Sequence, residues 1–380
     1  LAVKGTILPG DVVMYQTYFA TIVHQVSGVI SLLPIISKGL ESVDSIGDIL
    51  LNNDIENTGG RRKLKNLKGS IEFKNVSFKF RKADGSTLKN LSFSVNPGET
   101  IAFVGASGAG KSTILNLVIG FLRTTSGNIY IDGEDINNLN LKEYRKNISV
   151  VPQMPILFTG TIRENITYGS DEVSEEHLAQ IIRSANLDEF IDSLPDGLDT
   201  MVTEHGANLS GGQRQRICIA RALAVKPKLV ICDEPVSALD VSIQAQIINL
   251  LRDLQKEFGI TYLFISHDLS VVEHISDTVG VMYLGNMVEL ADSQEIFDNP
   301  VHPYTEALLN AIPTTVDESH RELQVLEGDI PSPVNPPKGC KFHTRCKYCT
   351  DTCRECAPEM TEVSDGHYVA CHLVSEGKLG

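Results

Sequence analysis

The stretch ETIAFVGASGAGKSTILNLVIGFL, residues 99–122, decides the fold. A short apolar run reads as a buried strand, a glycine-rich loop follows it, and a run with helical periodicity follows the loop. Gly105 to Ser112 fits G-x4-G-K-S, and the strand before and helix after are the context that separates a phosphate loop from a chance match. The cradle runs from Gly105 through Ser107, Gly108, Gly110, Lys111 and Ser112 to Thr113. Its glycines let backbone N–H groups wrap a β-phosphate, Lys111 reaches the β and γ oxygens, and the Ser112 hydroxyl can ligate Mg²⁺. Alone, this loop specifies a nucleoside triphosphatase and no more.

Outward from the loop, KPKLVICDEP (226–235) reads as a buried strand ending in two carboxylates, and YLFISHD (262–268) as another ending in His267. Asp233 is placed to hold Mg²⁺ through water, and Glu234 to orient and deprotonate an attacking water. The apolar run before them disfavours a surface-charge reading. IEFKNVSFKF (71–80) alternates like a strand. Strands and helices alternating, with polar residues at strand ends, describe an α/β domain whose ligand lies along the carboxyl edge of a mainly parallel sheet. A second Gly pair stands at the mouth of a helix in NLSGGQRQRICIARAL (208–223), again offering N–H groups to an anion.

A net charge of −15 over 380 residues argues against a nucleic-acid surface, which needs clustered Lys and Arg. The local exception is RRKLKNLK (61–68), readable as a solvated linker or as a stretch just inside a membrane. From Val12 to Ser37 there are 26 consecutive residues without Asp, Glu, Lys or Arg, more than the roughly 20 that cross a bilayer as a helix. Gln16, Thr17, Thr21, His24, Gln25, Ser27 and Ser31 would be costly facing lipid, so a spanning helix should turn them to other helices or to water. The other reading is a buried helix of a soluble domain. The chain begins with Leu, which suggests a piece of something longer. The expected order is a transmembrane helix with a cytoplasmic extension over 1–51, a linker over 52–69, a nucleotide-binding domain over 70–315 and a Cys-rich extension over 316–380.

Gln153, LSGGQ (209–213), Asp233 with Glu234, SALD (237–240) and His267 follow the phosphate loop in one order. That set resembles the nucleotide-binding domain of ABC transporters, over about residues 70 to 315. The resemblance implies a P-loop α/β core with a helical subdomain carrying LSGGQ, and two such domains facing head to tail. Ser210, Gly211, Gly212 and Gln213 would then close over ATP held in the phosphate loop of the other domain. It also implies that Phe80 stands for the adenine-stacking aromatic, usually Tyr, that Gln153 senses Mg²⁺ and water, that Asp240 couples the two sites, and that His267 clamps the γ-phosphate. Closure of this kind supplies dipoles around a loose phosphoryl transition state only when both halves meet.

Two subfamilies are represented. Residues 1 to about 223 resemble an ABC exporter, through LFTGTIRENITYG (157–169) and TEHGANLSGGQ (203–213) with Glu204. From about 224 onward the chain resembles the ATPase subunit of dipeptide or oligopeptide importers, through PVSALDVSIQAQIINLLRDL (235–254) and NPVHPYTEALLNAIP (299–313). The change falls at or just after RQRICIARAL (214–223), as in a fused gene or a recombined or misassembled one, the second being favoured.

Six of the eight cysteines fall between Cys340 and Cys371, whereas Cys218 and Cys232 lie in apolar runs and read as core. An ATP site places the domain in the cytosol, where disulfides are disfavoured, so the tail reads as a metal site. Cys340, Cys346, Cys353 and Cys371 match the four-cysteine pattern at the end of those importer ATPases, which the resemblance associates with a [4Fe–4S] cluster. Four thiolates suit Zn²⁺ equally. Cys349, Cys356, His343, His367 and His372 leave the ligand set open.

The resulting expectation is an ATP-hydrolysing ABC subunit on the cytoplasmic side of the cell membrane, energising di- or oligopeptide transport. Its partners would be a second nucleotide-binding domain, identical or different, and transmembrane subunits. Rival readings are the C-terminal part of an exporter and a soluble ABC ATPase acting as a conformational clamp or redox-responsive module.

Overall fold

The computed structural model describes residues 5, 8–50, 61–64, 66–81, 85–170, 172–312, 328–333, 335–375 and 377. Much of the expected linker, 51–60 and residue 65, and the start of the tail, 313–327, lie outside the described residues. The chain divides into two compact units, Leu1–Asn57 and Thr58–Gly380.

The first unit is one helix, Pro9–Leu50, of 42 residues, with Pro34 inside it. It is about 60 Å long at helical rise, roughly twice the hydrocarbon thickness of a bilayer. Its large apolar side chains from Val12 to Ile46, and Leu50, are exposed. By length and composition it is the one helix among the described residues suited to cross a membrane.

The second unit is built on an eight-stranded sheet. Five adjacent strands, reaching one edge, are parallel, in the spatial order Thr278–Tyr283, Thr100–Val104, Thr261–Ile265, Leu229–Asp233 and Ile148–Val151. Both faces of this layer are covered, so its strands read as continuous apolar runs rather than as alternating ones. Alternate residues nonetheless serve different cores. Ile101, Phe103, Ile231, Leu263 and Ile265 pack with the helix Lys111–Ile119 and a second, four-stranded antiparallel sheet. Ala102, Val104, Cys232 and Phe264 pack with the helical subdomain, which includes Glu175–Ser184 and Gly211–Ala224. Cys218 and Cys232 are buried there, as their apolar neighbours required.

At the opposite edge the sheet turns antiparallel. Asn286–Asp292 pairs with Thr278–Tyr283, and the tail then adds the hairpin Thr361–Ser364 and His367–Val369 to that edge. The Cys-rich tail is therefore built onto the core sheet. Buried Glu289 receives it: its carboxylate lies 2.8 Å from His367 Nε2 and accepts the N–H groups of Val301 and His302. Both carboxylate oxygens are thus satisfied, which is what a charge with no solvent access requires.

Candidate nucleotide site

Parallel strands end together, and that fixes the site. The strand Thr100–Val104 runs into the glycine loop, its neighbour but one Leu229–Asp233 ends in Asp233, and Thr261–Ile265 between them leads to His267. Gly105 adopts φ 141°, and a Cβ there would stand 2.1 Å from the Met282 carbonyl oxygen, so only glycine lets the loop leave the sheet at this point. Gly110, at φ 101°, caps the helix Lys111–Ile119 with no side chain in the way. The N–H groups of Lys111 and Ser112 have no partner among the described residues, as anion binding requires, whereas that of Thr113 bonds to Gly110 O.

Lys111 is buried and folds back, its Nζ donating to Gly105 O at 2.7 Å and Ala106 O at 3.1 Å. Burial lowers its pKa, and the nearby Glu234 and Asp233 carboxylates oppose that shift. Asp233 is shifted upward by burial and by Glu234, with Lys111 opposing. Two carboxylates repelling one another suit a divalent cation, whose charge would relieve the repulsion, and Ser112 at the head of the loop helix is exposed.

Glu234 is held by three elements. Its backbone is left-handed, φ 47°, with its N–H on Ile265 O. Its Oε2 accepts from Gln153 Nε2 at 3.1 Å and lies 3.0 Å from His267 Nδ1. Oε1 has no partner among the described residues. Gln153 comes from beyond the strand Ile148–Val151, so three strand ends converge on one carboxylate. Ser237, which sequence reasoning passed over, bonds Gln153 Nε2 at 3.2 Å and donates to Glu234 O. Its position in SALD was visible, but nothing local pointed its hydroxyl back at Glu234. Phe80 is exposed and packs edge-on against Phe78 at 4.7 Å.

The signature loop is ordered on its own. Ser210 caps Gly211–Ala224 in a reciprocal box with Gln213. Gly211 and Gly212 pack so close to Leu239 and Ile243 that a Cβ would stand 3.1 and 3.0 Å from them. Asp240 caps the helix Val241–Phe258, accepting from Ile243 N. Among the described residues no hydrogen bond or ion pair joins Ser210–Gln213 to the phosphate loop.

Residues 88–237 match the family described as ABC transporter, and residues 288–353 match the oligopeptide/dipeptide transporter C-terminal region. The oligopeptide transport ATP-binding protein AppF of Bacillus subtilis (strain 168) is 47% identical over 322 residues, which cover 82% of this chain and 97% of AppF. The chain belongs to the ATP-binding proteins of ABC transporters. A Brucella ovis protein whose name makes it a peptide import ATP-binding protein is 44% identical over 306 residues, 77% of this chain and 94% of its own. A bacterial Atm1-family ABC exporter with ATP bound matches with a TM-score of 0.62 and 33% identity, over 77% of this chain. This chain spans about half, 51%, of that exporter's length. An alignment of 322 residues in a chain of 380 necessarily runs through residue 224, so likeness to this oligopeptide transport ATP-binding protein extends upstream of that point. As an ABC ATPase the chain is expected to take ATP with Mg²⁺.

The tail gathers four thiols. Burial first, then Cys353, Cys346 and Cys371, push the Cys340 thiol up to about 12, with the Phe342 N–H opposing. Burial, then Cys371, Cys353 and Cys349, push Cys346 up to about 11, with the Tyr348 N–H opposing. No three His, Cys, Asp or Glu among the described residues stand at metal-ligating spacing. The histidines have other work: His367 faces Glu289 and Glu295, His343 faces Cys340 O and His372 faces Cys356 O. Cys356 is exposed and Cys349 lies beside Thr350 O.

Proposed function

We propose that this chain is the ATP-hydrolysing subunit of a transporter that imports di- or oligopeptides, working on the cytoplasmic side of the membrane. The observation that carries this reading is the 47% identity to an oligopeptide transport ATP-binding protein over 97% of that protein's length. The C-terminal match at residues 288–353 supports it.

In this reading Gly105, Ser107, Gly108, Gly110, Lys111 and Thr113 hold the phosphates, and Phe80 stacks on the adenine. Ser112, Asp233 and Gln153 would hold Mg²⁺, which would supply positive charge to offset the charge of the phosphates. Glu234 takes the proton of the attacking water through Oε1, the oxygen left open, while Gln153 and His267 fix its position through Oε2. His267 engages Glu234 through Nδ1, which leaves its Nε2 for the γ-phosphate. Ser210, Gly211, Gly212 and Gln213 act on the ATP of a second nucleotide-binding domain, and Asp240 links the two sites. Pro9–Leu50 would lie in the membrane beside the transport subunits. In the tail, Cys340, Cys346, Cys353 and Cys371 would hold a [4Fe–4S] cluster, with Zn²⁺ the alternative. The donor type is what supports this, since thiolates are the soft ligands that both groups take.

The test is uptake of a labelled tetrapeptide by cells that depend on this chain. Glu234→Gln should abolish uptake and lower ATP turnover by about a hundredfold or more, while ATP binding persists. Uptake or turnover at the wild-type level in that variant would contradict the proposal.

A further inference from the structure

Ala106, the second residue of the phosphate loop, is held from both sides. Its carbonyl accepts from Lys111 Nζ, and its N–H donates to the Tyr304 hydroxyl at 3.0 Å, across 198 residues of sequence. Tyr304 sits in the first turn of the helix Pro303–Asn310 and is buried. Burial raises its phenol to about 12, with the Ala106 N–H opposing, so the hydroxyl stays neutral and can accept that bond.

The position of Tyr304 is itself set by the tail. Its ring meets Phe342 at 5.3 Å and Tyr283 at 4.8 Å, and Phe342 meets Tyr283 edge-on at 5.4 Å. Phe342 is fully buried and lies in the tail between Cys340 and Cys346. The start of the Tyr304 helix is pinned from the same side. His302 Nδ1 accepts the Tyr304 N–H at 3.0 Å, and burial holds that imidazole neutral by lowering its pKa to about 4, with Glu289 opposing. Glu289 accepts the N–H groups just before Tyr304 and faces His367 of the tail hairpin. The tail also lies near the loop itself, since a Cβ placed on Gly108 would stand 3.6 Å from Pro333 Cγ.

We infer that Tyr304 is a positioning residue for nucleotide binding, and that the seated tail, through Phe342, sets the affinity of the phosphate loop for ATP. To reach phosphate, Lys111 must leave Gly105 O and Ala106 O. Ala106 then keeps two bonds, the Ala109 N–H on its carbonyl and the Tyr304 hydroxyl on its N–H; only the second reaches outside the loop, so that bond matters more with nucleotide bound than without. The groups that act on water, Glu234, Gln153 and His267, come from other strands and do not depend on it. The effect is therefore on binding and not on the chemical step. This inference rests on the assignment of Gly105–Thr113 as the phosphate site.

The test is the KM for ATP and kcat of the assembled transporter carrying full-length variants. Tyr304→Phe keeps the ring and removes the hydroxyl. It should raise KM roughly threefold to tenfold, the scale of one lost hydrogen bond, with kcat within about twofold and melting temperature little changed. Phe342→Leu, close in volume, should raise KM in the same direction, and the double variant should not exceed the larger single effect. An unchanged KM in Tyr304→Phe overturns the inference, as does a fall in melting temperature and kcat with KM unmoved. Independent, multiplying effects in the double variant overturn the link to the tail. Lys111→Ala is the separate control: if it binds ATP normally, the phosphate-site assignment fails, whereas if only Tyr304→Phe is silent, that assignment stands.

Discussion

Glu234 is left-handed at φ 47°, a region that a residue with a Cβ occupies at some cost. The three bonds that meet on it explain how the conformation is maintained: Ile265 O holds its N–H, and Gln153 and His267 hold its carboxylate. Gly105 is constrained for a different reason, because both its φ and the Met282 carbonyl forbid a side chain. Gly105→Ala should therefore lose ATP binding and melt well below Gly133→Ala. Gly133 shares a positive φ, 80°, but has nothing within 4 Å of a new Cβ. The difference between the two isolates the clash from the backbone strain, each being of order 1 kcal/mol or more. Equal melting in a thermal scan would show that the close approach to Met282 is unimportant. Asp233, Glu234, Gln153 and His267 were legible in the sequence because each follows an apolar run, and parallel strands bring such ends together. Ser237 and Tyr304 were not legible. Their contacts span 84 and 198 residues, and only the folded topology makes them neighbours.

Among the elements, the strand alternation of Ile71–Phe78 and the strand, loop and helix around Gly105 could be read directly. The tail could not, although TEVSDGHYV carried a hairpin signal in its Asp-Gly turn, with Gly366 at φ 73°. A segment with little apolar mass cannot fold alone, and two supports are open to it: an edge strand to pair with, or ligation of its thiols. The structure supplies the first at Asn286–Asp292. The second is testable. Anaerobically purified protein should be brown with broad visible absorption, and Cys346→Ser and Cys353→Ser should each abolish the colour while ATP hydrolysis persists. Colourless protein with stoichiometric zinc would transfer the site to Zn²⁺, and metal-free protein with a folded tail would exclude both.

At the scale of the whole molecule, the point where the two subfamily resemblances meet is buried and well connected. Leu223 and Ala224 are in the core, Ser149 Oγ donates to Ala222 O at 2.7 Å, and Arg221 reaches Ile156 O and Asn165. Front and back halves thus share one core, which is why the order of motifs predicted a single nucleotide-binding domain. In the proposed assembly one chain does not complete its own ATP site. Ser210 and Gln213 spend their side chains capping their own helix, and the loop they form has no phosphate loop bonded to it among the described residues. The proposed function has the site shared between two chains, and mixing variants measures this most directly. Lys111→Ala chains and Ser210→Arg chains should each be inert alone, whereas their mixture should hydrolyse ATP, because a mixed pair contains one site with both elements intact. Ser210→Arg chains that hydrolyse ATP at the wild-type rate per chain, however dilute, would contradict a shared site.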